Sequence, residues 1–85
     1  MTHELKIKET FAEAVLSGDK TFEVRENDRG YQKGDIVRFK VLDQINTVHP
    51  HHSLHEKIFV ITYVLSGWGI KDGYVVFGIK ALEEL

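Results

Sequence analysis

Ser17-Gly18-Asp19-Lys20-Thr21-Phe22-Glu23-Val24-Arg25 decides how this chain is read, because these nine residues carry a helix end, a tight turn and the start of a strand. Glycine enters the left-handed backbone region without steric cost, so Gly18 is expected to cap a helix C-terminus. Beyond it, Phe22 and Val24 alternate with Thr21, Glu23 and Arg25, the two-residue period of a strand, which sets the three polar side chains on one face. A lysine, a glutamate and an arginine at one helix-to-strand junction form a candidate binding site.

Upstream, Leu5 and Ile7 alternate with Glu4, Lys6 and Lys8, so the chain is expected to open with a short strand buried on one side. Thr10 followed by Glu13 has the spacing of a capping box, and Phe11, Ala14 and Val15 fall on one helical face before Gly18. The pattern predicts a helix of about two turns. A helix that short needs tertiary support, expected here from Phe11 and Val15 packed on a sheet whose second strand spans residues 20–25.

Downstream, Glu26-Asn27-Asp28-Arg29-Gly30 and Lys33-Gly34-Asp35 are turn signals, and Ile36 to Leu42 reads as the third strand. Residues 43–56 are mostly polar, include His49, Pro50, His51, His52 and His55, and read as one long loop. Residues 57–65 are rich in β-branched and aromatic side chains and give the fourth strand. A Gly67-Trp68-Gly69 turn follows, then a last strand over 74–82. Phe39, Phe59, Tyr63 and Phe77 alternate within these strands and are expected in or beside the core. Trp68 has two readings, an indole presented for stacking on a base or one folded back to plug the end of the sheet. Five strands with one short N-terminal helix make an α+β, mainly β chain, and the sequential connections favour a small β-barrel over a doubly wound sheet.

At 85 residues the chain is expected to form one domain, 1–85, near the lower size at which a single core sustains folding without staples. There are no cysteines, which removes disulfides and thiolate metal ligands and suits a reducing cytoplasm. No apolar run approaches the ~20 residues of a bilayer span, and no membrane partner is expected. Eleven basic and thirteen acidic side chains leave a net charge of -2, the wrong balance for a generic grip on duplex nucleic acid. Residues 20–40 nevertheless hold Lys20, Arg25, Arg29, Lys33, Arg38 and Lys40 against Glu23, Glu26, Asp28 and Asp35. The segment therefore runs against the charge of the whole, which suits either a mixed solvated face or a surface for an anionic ligand.

Gly18-Asp19-Lys20-Thr21-Phe22-Glu23-Val24-Arg25 resembles the G-x-K-x-x-E-x-R signature of ASCH domains, which are similar to PUA domains in fold. His3-Glu4-Leu5-Lys6-Ile7, Asn27-Asp28-Arg29 with Tyr31-Gln32 and Gly34-Asp35, and Gly73-Tyr74-Val75-Val76 resemble a short bacterial and phage branch of that clan. The resemblance implies a five-stranded PUA-like β-barrel that binds RNA or a nucleotide-like ligand in a cleft beside the signature, with no cofactor. Lys20 would supply a mobile point charge, Arg25 a planar fork of donors and Glu23 an acceptor for a base edge. Asp28, Arg29 and Trp68 are further candidate neighbours, and His3 on the first strand is another. The competing reading is that Glu23 and Arg25 form an ion pair that holds the open end of the barrel together.

A second functional reading is catalytic, since some ASCH-like proteins resemble small amidohydrolases that cleave acylated cytosine nucleosides with a lysine, a threonine and a glutamate. Lys20 matches that set, but Glu23 stands where the nucleophilic threonine is expected, and residues 58–65 offer no carboxylate for the distal glutamate. Thr21, on the same face as Glu23, is the substitute nucleophile for an amidohydrolase or ribonuclease site of Lys20, Thr21 and Glu23. The third candidate is metal binding by His49, His51, His52 and His55. Their i, i+3 and i, i+4 spacings would aim imidazoles at one zinc or nickel ion only on a helix, which Pro50 opposes, so no metal is expected.

Overall fold

The computed structural model describes residues 1–82, so the last three positions of the expected 1–85 domain lie outside the described residues. Strand β1 (Thr2–Lys8) leads directly into helix α1 (Glu9–Ser17), followed by β2 (Phe22–Glu26), β3 (Ile36–Leu42), a 3-10 turn (Ser53–Glu56), β4 (Phe59–Leu65) and β5 (Tyr74–Ala81). The strands form one sheet in the order β1-β3-β4-β5-β2, with β1 parallel to β3 and the other neighbours antiparallel. This is a mainly β architecture with one helix, as the alternation predicts. The expected closed barrel is corrected to a half-barrel, since β1 and β2 are both outer strands and no ladder joins them.

Inward residues coincide across the parallel pair: His3 lies opposite Val37, Leu5 opposite Phe39 and Ile7 opposite Val41. All six are buried, and Val75, Phe77 and Ile79 of β5 with Phe59 and Ile61 of β4 complete the concave core. A β-bulge between Ile61 and Tyr63 adds a residue to β4 and shifts the phase of its second half. Bulges bend and twist a strand, which helps curl this sheet. The bulge also corrects one core expectation: Tyr63 points outward and is 64% exposed, whereas Val64 packs on the core.

The helix departs from its predicted packing in two respects. It starts at Glu9 with Lys8 as an uncapped N-cap, so Thr10 and Glu13 form no capping box; Glu13 instead accepts a 3.0 Å bond from His52 Nε2. Its buried side chains are Ala12 and Val15, while Phe11 is half exposed. Because the helix follows β1 without a linker, the angle of that junction rather than the apolar stripe selects the face laid on the sheet. The C-terminal expectation holds: Gly18 has φ 87° and its N–H donates to the Val15 carbonyl.

Residues 43–56 are more ordered than a simple loop. Val48 bridges Leu42, and the 3-10 turn drives Leu54 into the core with no exposed surface. Trp68 stands at the tip of the β4–β5 connection with φ 54° and 91% exposure, so the indole plugs nothing.

Candidate functional site

Strand β2 positions the signature. In its register with β5, Glu23 lies opposite Phe77 and Arg25 opposite Val75, both inward-facing residues of β5. The polar face of β2 therefore turns into the concavity, and the apolar Phe22 and Val24 are about half exposed outside. The alternation is as predicted, with its polar face on the inside. An outer strand makes this possible: beyond β2 lies the open seam, where charged groups stay near water.

Glu23 is 4% exposed and has a cation on each carboxylate oxygen: Lys20 Nζ at Oε1, and Arg25 Nε at Oε2 at 3.1 Å. Arg25 then crosses the seam, its Nη2 donating to the Lys6 carbonyl of β1 at 2.7 Å. Arg29 makes a parallel bridge, Nη1 to the Glu4 carbonyl at 2.9 Å. Two guanidinium groups thus occupy carbonyls on the free edge of β1 that no strand reaches, and they tie the open sheet across its gap. Charge-assisted bonds of this kind are about twice as strong as neutral ones. The ion-pair reading of Glu23 and Arg25 is geometrically correct, and it coexists with a cleft.

That cleft lies where β1, α1 and β2 meet and encloses about 660 Å³ between Lys6, Ile7, Lys8, Phe11, Ala14, Asp19, Lys20, Phe22, Glu23, Val24 and Arg25. Lys20 Nζ sits 5.6 Å from the Phe11 ring centre and 5.2 Å from that of Phe22, and it donates to the Phe22 carbonyl at 2.8 Å. The exposed Phe11 and Phe22 are therefore the aromatic walls of a charged slot. An ammonium has three N–H donors and a guanidinium five, so with the bonds above Lys20 retains one and Arg25 three. Sequence reading missed Phe11, Phe22, Lys6 and Lys8. An exposed aromatic beside a lysine reads locally as core, and only the inverted face of β2 identifies it as a wall.

Other candidates lie elsewhere. Asp28, Arg29, Trp68 and Thr21 do not line this cleft. Asp28 is exposed in the turn after β2, and Thr21 faces a smaller neighbouring cleft. His3 is buried at the other end of β1, where its Nε2 lies 2.8 Å from Asp35 Oδ2 and its ring meets Tyr31 edge-on at 4.8 Å. The bond from His3 is the main reason the Asp35 carboxyl is held below its ordinary range. Burial, the leading effect, pushes the Tyr31 hydroxyl up.

The histidines serve the fold. Three of them accept a backbone N–H: His49 Nδ1 from His51 at 3.2 Å, His52 Nδ1 from Leu54 at 3.1 Å, and His55 Nε2 from Val41 at 2.9 Å. Among the described residues no group of three or more metal-ligating side chains converges. His51 is exposed. Desolvation, followed by the neighbouring imidazoles, lowers the pKa of His55 and favours the neutral ring that its bond to Val41 requires.

Across residues 2–79 the chain matches the model of a family described as Domain of unknown function (DUF3850), and it belongs to that family. No curated protein matches it.

Proposed function

We propose that this DUF3850 domain is a binding module of the ASCH type that holds RNA or a nucleotide-like ligand in the cleft between β1, α1 and β2. One observation carries the reading: the buried acceptor Glu23 and the partly unused donors of Lys20 and Arg25 open into a slot walled by Phe11 and Phe22. Aromatic faces stack a base, a carboxylate accepts from a base edge, and cations meet phosphate. The volume of about 660 Å³ lies inside the range of small-ligand sites, roughly 300–1,000 Å³.

Hydrolysis by Lys20, Thr21 and Glu23 has weaker support. A nucleophile needs its base within hydrogen-bond reach, and Thr21 does not line the cleft that contains Glu23. No hydrogen bond joins the two side chains among the described residues.

The test is a thermal-shift screen against nucleosides, nucleotides and short single-stranded RNAs, with each variant compared to its own unliganded melting point. Wild type is expected to gain stability with a ligand that leaves Lys20→Ala and Phe22→Ala unmoved. Equal shifts in all three proteins would overturn the site, and no shift with any nucleic-acid ligand would overturn the ligand class.

A further inference from the structure

Next to the first cleft, on the far side of Lys20, a second one of about 290 Å³ lies between the end of α1, Thr21 and the strands β4 and β5. Among the described residues its charged lining is Lys20, Lys57 and Lys80, with no carboxylate. Lys20 lines both clefts, so they adjoin. Lys57 and Lys80 are exposed and make no ion pair among the described residues.

The charge distribution is one-sided. Among the described residues, Lys6, Lys8, Lys20, Arg25, Lys57 and Lys80 line the two clefts against only Asp19 and Glu23, a local charge of +4. The chain as a whole carries -2, so everything else sums to -6. Six of its eleven lysines and arginines therefore line these two adjoining clefts, a local excess that suits an anionic ligand. With three ammonium groups around about 290 Å³, the second cleft has the charge and the room for an anionic group. It fits a phosphate.

We infer that the two clefts form one track for a single strand of at least two nucleotides: a base lies between Phe11 and Phe22, and the next backbone phosphate crosses Lys20 to lie between Lys57 and Lys80. This rests on the nucleotide reading above and narrows it from a free nucleoside or mononucleotide to an oligonucleotide.

The experiment is a fluorescence-anisotropy titration of the full chain with labelled single-stranded RNAs of one, two, four and eight nucleotides over a salt series. Wild type is compared with Lys57→Ala/Lys80→Ala, which alters exposed side chains only. Wild type is expected to bind the dinucleotide at least tenfold more tightly than the mononucleotide. In the double variant that gain disappears and mononucleotide binding persists. The slope of log K against log salt becomes shallower by about 0.7, as expected when one phosphate of a single strand is no longer neutralised. Mononucleotide binding with no length dependence, or a salt slope the variant leaves unchanged, would overturn this inference while the first cleft stands. Equal binding of an acidic peptide of the same charge would overturn the assignment to a nucleic acid. Absence of binding at every length would remove the nucleotide reading itself.

Discussion

Arg25 shows how one side chain can be both structural and functional. Its guanidinium holds Glu23 with Nε and the Lys6 carbonyl with Nη2, two directions that an ammonium cannot serve at once. Arg25→Lys preserves the charge yet should lose at least one of these bonds, lowering stability by about 1–2 kcal/mol, the discounted value for a charged hydrogen bond at a partly exposed site. Denaturant unfolding measures the change, and a variant as stable as wild type would show that the seam does not depend on the fork. Glu23→Gln should cost more than Lys20→Ala, because it leaves two cations facing a neutral amide at a buried position, whereas Lys20 is replaceable by water. Comparative melting of the two variants tests that order.

Among the elements, the segment joining β3 to β4 departs furthest from a polar linker. Leu54 has no exposed surface, so Leu54→Ala should destabilise by about 2–5 kcal/mol. For a domain of this size that corresponds to a fall in Tm of about 10 °C or more. The same segment confers a pH dependence. His55 has its pKa lowered in the folded state, so the folded form binds the proton less readily than the unfolded one. The stability this contributes is complete above the ordinary histidine value of about 6.5 and is lost as pH falls through it. Chemical denaturation from pH 8 to pH 5 should show stability falling below about 6.5. His55→Gln, whose amide oxygen can accept from Val41, should flatten that fall. An unchanged pH profile in the variant would assign the effect to the other histidines.

At the scale of the whole molecule, the open side of the half-barrel is closed by side chains rather than by a ladder. Arg29 makes one of the two bridges, to the Glu4 carbonyl, and takes no part in the cleft. Arg29→Ala should therefore cost about 1 kcal/mol and leave ligand shifts intact. Its local signature is faster hydrogen exchange in β1, with the β4–β5 amides unchanged. Uniform acceleration across the sheet would mean that the bridge supports global rather than local stability.

Alternation placed the first two strands, turn signals and β-branched richness the other three, and the 3.6 period the helix, because these are local properties that survive in any tertiary setting. Gly18 and the β3 limits were legible for the same reason, as was the cluster of Lys20, Glu23 and Arg25. Alternation cannot tell which side of a strand is the inside. The neighbours of β2 decided that Glu23 and Arg25 face inward, and the bulge in β4 decided that Tyr63 does not. Whether the sheet closes was likewise settled by pairing across the chain: β1 took β3 as its partner, left its other edge to two arginines, and so created the cleft. Strand identity is set by local properties of the sequence, but facing, closure and pocket formation depend on contacts between residues distant in sequence, and only the folded chain brings those together.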